Sequence, residues 1–451
     1  MELQEELLKR FVDGSLNELL HQVSLGRKGK KILYREHAPT RLKLDKNGNI
    51  LIVIERSKMP FDLFWGIPKK THRYCWDYPL WLRAKTYADI FLHAYYLDMV
   101  ENTGHPNGDM TLVFKIPFFE SSYRRIFDLK TGEISGMTTT TRTAYYSNKS
   151  SVEDSNPFFG YERQRDYLKI NLPKVISIGL RHDHDTRQNE LALIPQRAKL
   201  SSLEYSRAFL SSLSFIEGKR VGWSYYTISN NKNIVTRYFS KIEDTEPFFP
   251  PVRSQLYGTK PVLERAIKFF LTKQSSKILK ALSTCWGNIP DFTTKCLIAC
   301  VAVESVSDFI LSMHSVKLPK EGDYKKLKKL VLKTLSKDEA IGKNPHYSRI
   351  AAIIENSRLK QPENIATAGK LVGVQISEQE ISDWTKLRHP LSHGNYYKPF
   401  TLDDGTVSLN HSKLSSVGNI LNKLILGIIS YKGKYTNYTS PQLLDEILKI
   451  D

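Results

Sequence analysis

The stretch that decides the fold is "EDTEPFFPPVRSQLYGTKP", Glu243 to Pro261, because the pattern of apolar residues differs on its two sides. It contains four prolines, which lack a backbone donor and are poorly tolerated inside helices and central strands. Before it, apolar and polar residues alternate in short runs, as in strands. After it, apolar residues recur every three to four positions, as in helices. The stretch therefore predicts a domain boundary in an α+β protein.

On the N-terminal side, "RLKLDKNGNILIVIER" contains two alternating runs around Asn47-Gly48, which is a strong hairpin signal. Similar β-branched and aromatic runs continue to about residue 245. Residues 1–20 predict one amphipathic helix, and "PLWLRAKTYADIFLHAYYLDMV", residues 79–100, predicts a second helical stretch. We therefore predict that residues 1–245 form a β-rich N-terminal domain that senses or holds a partner.

On the C-terminal side, we predict a Pro-rich linker over residues 246–261 and an all-α helical bundle over residues 262–451. Short polar connections join the predicted helices, as in helical bundles. Six helical segments are predicted: 260–282, 288–313, 323–337, 347–359, 377–389 and 412–431.

The chain carries a net charge of +19, and both sides of the boundary are basic. Excess basic charge favours a polyanion partner, most simply nucleic acid. The acidic, amphipathic N-terminus is unlike a signal peptide, and no long apolar run is present, so we expect a cytoplasmic protein with no membrane partner. No P-loop, GxGxxG or GxSxG motif is found, which argues against nucleotide-triphosphate, dinucleotide and α/β-hydrolase enzymes.

The four cysteines, Cys75, Cys285, Cys296 and Cys300, form no CxxC pair. We interpret Cys296 and Cys300 as small buried residues on a helix, because a metal site would need two further ligands nearby. In "LRHDHDTRQNEL", the alternating His182, Asp183, His184 and Asp185 allow two interpretations. One is an exposed hairpin loop, and the other is a metal or ligand site.

The segment "YKKLKKLVLKTLSK" has lysines at every fourth position: Lys325, Lys329, Lys333 and Lys337. Leucine and valine side chains line the other face of the predicted helix. A row of like charges costs helix stability unless an anion offsets it. The row indicates either an RNA-binding face or a solvated lysine face.

A second polar cluster lies in "KLRHPLSHGN", Lys386 to Asn395. The helix that carries it begins with a capping box, Ser377 followed by Glu380, which predicts a start near Glu378. Apolar residues at helical spacing would anchor this helix in the bundle: Ile381, Trp384, Leu387 and Leu391. Arg388, His389, Ser392 and His393 would then project elsewhere, and Gly394 is a plausible stop.

Pro390 is expected to kink or interrupt that helix. Arg388 and His393 are about 140° apart on a straight helix. They would therefore converge only if Pro390 distorts the last turn or if two chains share a cleft. Two other interpretations remain open: a polar C-terminal helix turn that complements the helix dipole, and a metal pair formed by His389 and His393.

The spacing Arg388-x(4)-His393 resembles the Arg-x(4–6)-His signature of HEPN domains. The surrounding frame, W-x-x-L-R-x-x-L-x-H-G, is similar to the HEPN domains of ApeA-type anti-phage proteins. In that frame "LIACVAVESVSDFIL" resembles an earlier bundle helix with a characteristic acid, which maps onto Glu304. The resemblance covers about 190 residues.

This resemblance implies a metal-independent endoribonuclease, with no cofactor, that acts as a homodimer in toxin or anti-phage defence. Histidine can move a proton near neutral pH, and arginine can hold phosphate oxygens while charge develops. We hypothesise that His393 is the acid or base and Arg388 the phosphate clamp. His389, Ser392 and Glu304 would support them. The alternative is a non-catalytic HEPN module that binds RNA, nucleotides or a protein partner.

Overall fold

The structure is a computed structural model of the whole chain. The description below covers these residues: 2–27, 34–36, 39–57, 80–104, 110–122, 133–139, 167–172, 176–183, 188–195, 201–230, 233–242, 245–252, 259–289, 291–316, 329–331, 333–334, 361–392, 406–440 and 445–448.

The chain divides into two compact units. The first unit comprises residues 1–210 and 221–244, and the second comprises residues 211–220 and 245–451. The first contains a large antiparallel sheet and the second is mostly helical, which confirms the α+β class. The predicted boundary at residue 245 lies beside the division at Asp244, although a short segment, 211–220, also belongs to the helical unit.

The first unit is built on a sheet that contains fifteen described strands. Their bounds are β1 (Asn17–Arg27), β2 (Tyr34–Glu36), β3 (Thr40–Leu44), β4 (Ile50–Ser57), β5 (Leu80–Thr86), β6 (Phe91–Tyr95), β7 (Asp98–Gly104), β8 (Met110–Ile116), β9 (Phe118–Ser122), β10 (Glu133–Thr138), β11 (Tyr167–Leu172), β12 (Ile176–Asp183), β13 (Gln188–Pro195), β14 (Trp223–Asn230) and β15 (Asn233–Phe239). The order is β11-β12-β13-β10-β14-β15-β9-β6-β5-β1-β3-β4-β8-β7, and β2 pairs with β1.

The hairpin predicted around Asn47-Gly48 is confirmed, because β3 pairs with β4 in antiparallel register. Gly48 has a φ of 76°, a left-handed conformation that glycine adopts without steric cost. The Asp45 carboxylate accepts the backbone amides of Asn47 and Asn49, each at 2.8 Å, and so stabilises the turn.

The predicted N-terminal helix is present as α1 (Glu2–Val12), but its predicted extent to residue 20 is wrong, because β1 begins at Asn17. Leu7 and Phe11 are buried, and the Phe11 ring lies 5.0 Å from the ring of Tyr238. Tyr238 stacks on Phe119 of the neighbouring strand at 4.4 Å. One face of the sheet therefore packs against α1 and forms a hydrophobic core. Each Å² of apolar surface removed from water there stabilises the fold by about 25 cal/mol.

The helix predicted over residues 79–100 is wrong, since this segment forms β5, β6 and β7. Leu82, Ala84 and Thr86 are buried at alternate positions, which is the period of a strand. The turn between β5 and β6 has no glycine or proline. Asp89 takes the left-handed conformation there, with a φ of 59°, so a single aspartate is the turn signal and no glycine or proline supports it.

The sequence analysis also missed a helix inside the β-rich region, α2 (Ser202–Glu217). The Glu204 amide donates to the Ser201 hydroxyl, and the Glu204 carboxylate accepts the Ser201 amide, both at 3.3 Å. This is a capping box, so the Ser-x-x-Glu spacing was a readable signal.

Six helices of the second unit are described over their whole length, apart from the end of α2, and residues 329–331 and 333–334 are also helical. They are α3 (Thr259–Phe270), α4 (Ser275–Cys285), α5 (Phe292–Met313), α6 (Gln361–Leu371), α7 (Glu378–Ser392) and α8 (Thr406–Ile428), followed by the short strands β16 (Lys434–Thr436) and β17 (Asp445–Ile447). The first predicted helix is two helices, since the chain turns at residues 271–274. Helix α6 was not predicted, and the segment predicted at 347–359 lies outside the described residues.

The first half of the predicted linker packs on the helical unit. The Phe249 carbonyl accepts the Asn422 side-chain amide at 2.9 Å, and its ring lies 5.0 Å from that of Tyr438. The Tyr438 hydroxyl donates to the Pro250 carbonyl at 2.7 Å. The described residues 246–252 of the predicted linker 246–261 thus belong to the helical unit, and α3 begins inside the predicted linker at Thr259.

Candidate functional site

Helix α7 carries the candidate site, and its start is the one predicted. Glu380 accepts the Ser377 amide at 2.8 Å, while the Glu380 amide donates to the Ser377 hydroxyl at 3.2 Å. This reciprocal pair is a capping box, and loss of such a cap costs about 1 kcal/mol. The helix begins at Glu378 as expected.

Buried apolar residues anchor α7 in the bundle. Trp384 and Leu387 are buried as predicted, and the Trp384 indole donates to the Cys300 carbonyl of α5 at 3.4 Å. Ile381 is only half-buried, and the Leu391 side chain lies outside the description. The anchored helix holds its remaining residues in a defined orientation against α5.

Two buried polar contacts add to this anchoring by joining α7 to α8. Lys423 donates to the Glu380 carboxylate at 2.8 Å, and both side chains are more than four-fifths buried. The Ser416 hydroxyl donates to the Asp383 carboxylate at 2.7 Å. A buried charge in this position is tolerated because it is paired and hydrogen-bonded.

The central feature of the site is an ion pair between helices α5 and α7. The Nε atom of Arg388 lies 2.7 Å from Oε1 of Glu304, which is 84 residues away in the chain. The two side chains are 25% and 23% exposed, so the pair is open to solvent on one side. The structure thus brings together two of the predicted site residues.

The Arg388 guanidinium uses only part of its hydrogen-bonding capacity in this pair. Within the described part of the chain, its terminal nitrogens Nη1 and Nη2 have no hydrogen-bond partner. Glu304 therefore binds the guanidinium through Nε and leaves two terminal nitrogens without a partner among the described residues. These nitrogens have the geometry that binds a carboxylate or phosphate bidentately.

A further acid, Asp308, was missed by the sequence analysis. It follows Glu304 by one helical turn on α5, and this spacing places both carboxyl groups on the same side of the helix. Partial burial raises the pKa of Asp308, although a hydrogen bond from Gln361 of α6 opposes the shift. The i, i+4 spacing of two acids on an otherwise apolar helix was the available signal.

The other predicted site residues are only partly described. His389 is exposed. The helix backbone continues through Pro390 to Ser392, so the expected interruption at Pro390 is wrong; the side chains of Pro390 and Ser392 lie outside the description, as does the whole of His393.

Of the lysine row, Lys329 and Lys333 lie in described helical backbone and are exposed, whereas Lys325 and Lys337 lie outside the described residues. Leu330 and Val331 are exposed too. This described piece therefore buries no apolar face.

The His182 and Asp183 positions end strand β12, which pairs with β13 as a hairpin. His184 and Asp185 fall outside the described residues. Among the residues that the structure describes, no group of three or more His, Cys, Asp or Glu is arranged to hold a metal ion.

Cys296 and Cys300 are buried as predicted, Cys285 is buried as well, and Cys75 lies outside the described residues. Burial raises the pKa of Cys285 and of Cys296 to about 12 and raises that of Cys300 as well. These thiols stay protonated near neutral pH, so they are poor nucleophiles and poor metal ligands.

Helix α5 is the one described helix whose length and apolar composition would also suit a membrane span. However, 56% of its most apolar window is buried inside the structure. Its fully buried residues include Val303, Val306 and Ile310. A core helix of a bundle has the same composition, and α5 packs against α4, α6, α7 and α8.

No family model, no curated protein and no solved structure matches this chain. The resemblance to HEPN domains is therefore carried by the residues of the sequence themselves.

Proposed function

We propose that the protein is a metal-independent endoribonuclease of the HEPN type. Arg388 would bind the scissile phosphate, His393 would act as the general acid or base, and Glu304 would position Arg388. His389 and Ser392 would orient the pair or contact the RNA.

The observation that carries the proposal is the contact between Arg388 and Glu304. The resemblance assigns these residues to one site from two separate segments, and their side chains meet at 2.7 Å. The free Nη edge of the guanidinium supplies a fixed positive charge, which strengthens the binding of a phosphate whose charge increases in the transition state. The pair is about one-quarter exposed, so a ligand can reach it from solvent.

The reaction would use the nucleophile that RNA carries. The 2′-oxygen attacks the adjacent phosphorus and loses its proton to a base, while the 5′-oxygen leaves and takes up a proton. The products are a 2′,3′-cyclic phosphate and a 5′-hydroxyl end. An imidazole with an ordinary pKa near 6.5 is suited to one or both transfers.

We further propose that two copies of the chain act together. Leu297 and Val301 on α5 are 38% and 41% exposed, and they precede Glu304 on the same side of the helix. Exposed apolar residues beside a candidate site favour a protein interface. In a twofold dimer built on this face, the two sites would lie close together. Light scattering would detect the dimer, and Val301→Glu is expected to yield a monomer.

A cleavage assay tests the proposal. Purified wild-type protein is incubated with total RNA in EDTA and compared with Arg388→Ala and His393→Ala. Loss of the acid–base group or of the phosphate-binding charge is expected to lower the rate about 10²–10³-fold. The products should end in 2′,3′-cyclic phosphates. Such ends resist a phosphatase that acts only on an open 3′-phosphate, so this resistance is the readout.

If wild-type protein does not cut RNA, or if neither substitution lowers cleavage, the nuclease proposal fails. RNA binding without cleavage would favour the alternative, a non-catalytic HEPN module.

A cellular role follows from the same resemblance. We propose a cytoplasmic toxin or anti-phage effector whose β-rich unit senses a phage-derived or nucleic-acid trigger. Induced expression should then arrest growth, and His393→Ala should relieve the arrest. Equal toxicity of the two proteins would separate the growth effect from RNA cleavage.

A further inference from the structure

Helices α3 and α4 present basic residues that are separate from the lysine row at residues 325–337. Residues 259–289 contain six basic residues and one acid, Glu264. Five of the basic residues are exposed lysines: Lys260, Lys268, Lys273, Lys277 and Lys280. The sixth, Arg265, donates to the Ser430 carbonyl and is already engaged.

The lysines are segregated from the core by helical spacing. On α4, Ile278, Leu282 and Cys285 are buried. Lys277 and Lys280 lie on the opposite side of that helix, and Lys273 is one turn before Lys277. This places three like charges along one exposed side of a short segment.

Within the described residues, these charges have no protein counterion. In the described part of the chain, none of the five lysines has an ion pair or a hydrogen bond through its ammonium group. Like charges one turn apart destabilise a helix by a few tenths of a kcal/mol per pair. An arrangement that costs stability and has no internal partner is typical of a surface that meets an external polyanion.

The surface also indicates which polyanion it fits. None of the exposed large apolar side chains falls within residues 259–289. A helix that binds a lipid surface inserts apolar side chains below its basic face. Lysines without such side chains fit a hydrated, flexible phosphate backbone instead.

We infer that this lysine face of α3 and α4 binds the phosphate backbone of RNA outside the cleavage site. Helix α4 packs against α5, the helix that carries Glu304, on its buried side and turns the lysines outward. The surface would hold the substrate through charge, without regard to base sequence. The choice of RNA as the polyanion rests on the proposed nuclease function.

The experiment measures binding in the absence of cleavage. Full-length protein with His393→Ala receives the triple substitution Lys273→Gln, Lys277→Gln and Lys280→Gln. Binding of a fluorescent single-stranded RNA is followed by anisotropy across a salt series. Each lost phosphate contact should reduce the slope of log K against log salt by about 0.7, so a reduction of about 2 is expected.

The matched control removes the same charge elsewhere in the same unit. Lys370, Lys432 and Lys434 are exposed, and their triple glutamine variant should keep the parent slope. Equal slopes for the two triple variants would overturn the inference. So would loss of binding to anionic phosphatidylserine vesicles with unchanged RNA binding, because it would assign the surface to lipid.

The outcome is separable from that of the proposed function. If the lysine variant alone loses the salt-dependent binding but Arg388→Ala does not affect cleavage, the RNA-binding surface stands and the assigned catalytic site falls. If Arg388→Ala lowers cleavage but the lysine variant keeps the parent salt slope, the assigned catalytic site stands and the RNA-binding surface falls.

Discussion

Arg237–Glu120 in the sheet and Arg388–Glu304 in the bundle are both arginine–glutamate pairs between neighbouring elements, but their surroundings differ. In the sheet, Arg237 of β15 contacts Glu120 of β9, its direct cross-strand partner. The Glu120 side chain is 2% exposed, and the Arg237 guanidinium lies 4.8 Å from the Phe118 ring and 5.5 Å from the Tyr226 ring. In the bundle, Glu304 and Arg388 are each about one-quarter exposed.

The two arginines also differ in how many of their nitrogens contact the glutamate. Arg237 uses both Nε and Nη2 on Glu120, whereas Arg388 uses Nε alone. Two aromatic rings flank the Arg237 guanidinium, and Glu120 is buried although the Arg237 side chain is 23% exposed. In the bundle pair both side chains are about one-quarter exposed, and Nη1 and Nη2 of Arg388 have no partner among the described residues. Similar chemistry thus forms a structural contact in one unit and a candidate ligand site in the other.

The largest expected effect separates the two pairs by stability. Glu120→Ala leaves a mostly buried guanidinium without its carboxylate and should destabilise the first unit by about 3 kcal/mol. Glu304→Ala should cost less than about 1 kcal/mol, because solvent already screens that pair. Hydrogen exchange in urea, read separately for peptides of β9, β15, α5 and α7, measures both. Equal losses of stability in the two variants would show that the two ion pairs do not differ in their structural role.

A smaller effect concerns pH in the sheet. His93 pairs with Glu120 across β6 and β9, and burial, followed by the nearby charge of Arg83, lowers the pKa of His93 to about 3. The unfolded chain binds a proton near pH 6.5 but the folded chain does not. The free energy of unfolding is therefore highest above pH 6.5. As pH falls below 6.5, it decreases by up to about 1.4 kcal/mol per pH unit.

The measurement is the free energy of unfolding of the first unit at pH 7, 6 and 5. A loss of about 2 kcal/mol is expected by pH 5. His93→Gln should flatten this dependence, whereas His21→Gln serves as the control, since His21 is a partly exposed histidine of the same sheet. An unchanged slope in His93→Gln would show that another group sets the acid sensitivity.

The smallest expected effect sharpens the role of Glu304. Glu304→Gln keeps an acceptor for Arg388 but removes the charge that orients the guanidinium. Cleavage should fall about tenfold, or about 1.4 kcal/mol, through kcat. RNA affinity in the His393→Ala background should stay equal or improve, because a negative charge is lost.

Ser377→Ala is the matched control for this prediction. It removes the cap of the same helix, at a cost of about 1 kcal/mol in stability, without touching Arg388. If Ser377→Ala lowers cleavage as much as Glu304→Gln does, the effect of Glu304 is only structural.

Parts of the fold could be predicted because their signals are local. The Asn47-Gly48 turn and the Ser377–Glu380 capping box each depend on hydrogen bonds within a few residues. The error at β5 and β6 arose where the turn uses Asp89 in place of glycine. Helix α2 carried a readable cap at Ser201 that was not recognised. Local chemistry thus explains both the correct and the wrong predictions.

The candidate site was predictable only in part. The spacing from Arg388 to His393 suggested two groups of suitable chemistry, and the resemblance added Glu304. Continuation of α7 through Pro390 was not predictable from residue preference alone, because packing of the helix against its neighbours offsets the lost hydrogen bond.

By itself, the sequence determined the division into a β-rich and a helical part, the start of α7 and the basic character of the chain. Those properties follow from periodicity, capping and composition, which involve neighbouring residues. Only the tertiary structure decided that Glu304 meets Arg388 and that Glu120 meets Arg237. These contacts join residues 84 and 117 positions apart, so helix packing and strand register determine them. The two arginines are similarly exposed, at 23% and 25%, so the burial of the glutamate and the rings beside the guanidinium distinguish the two pairs.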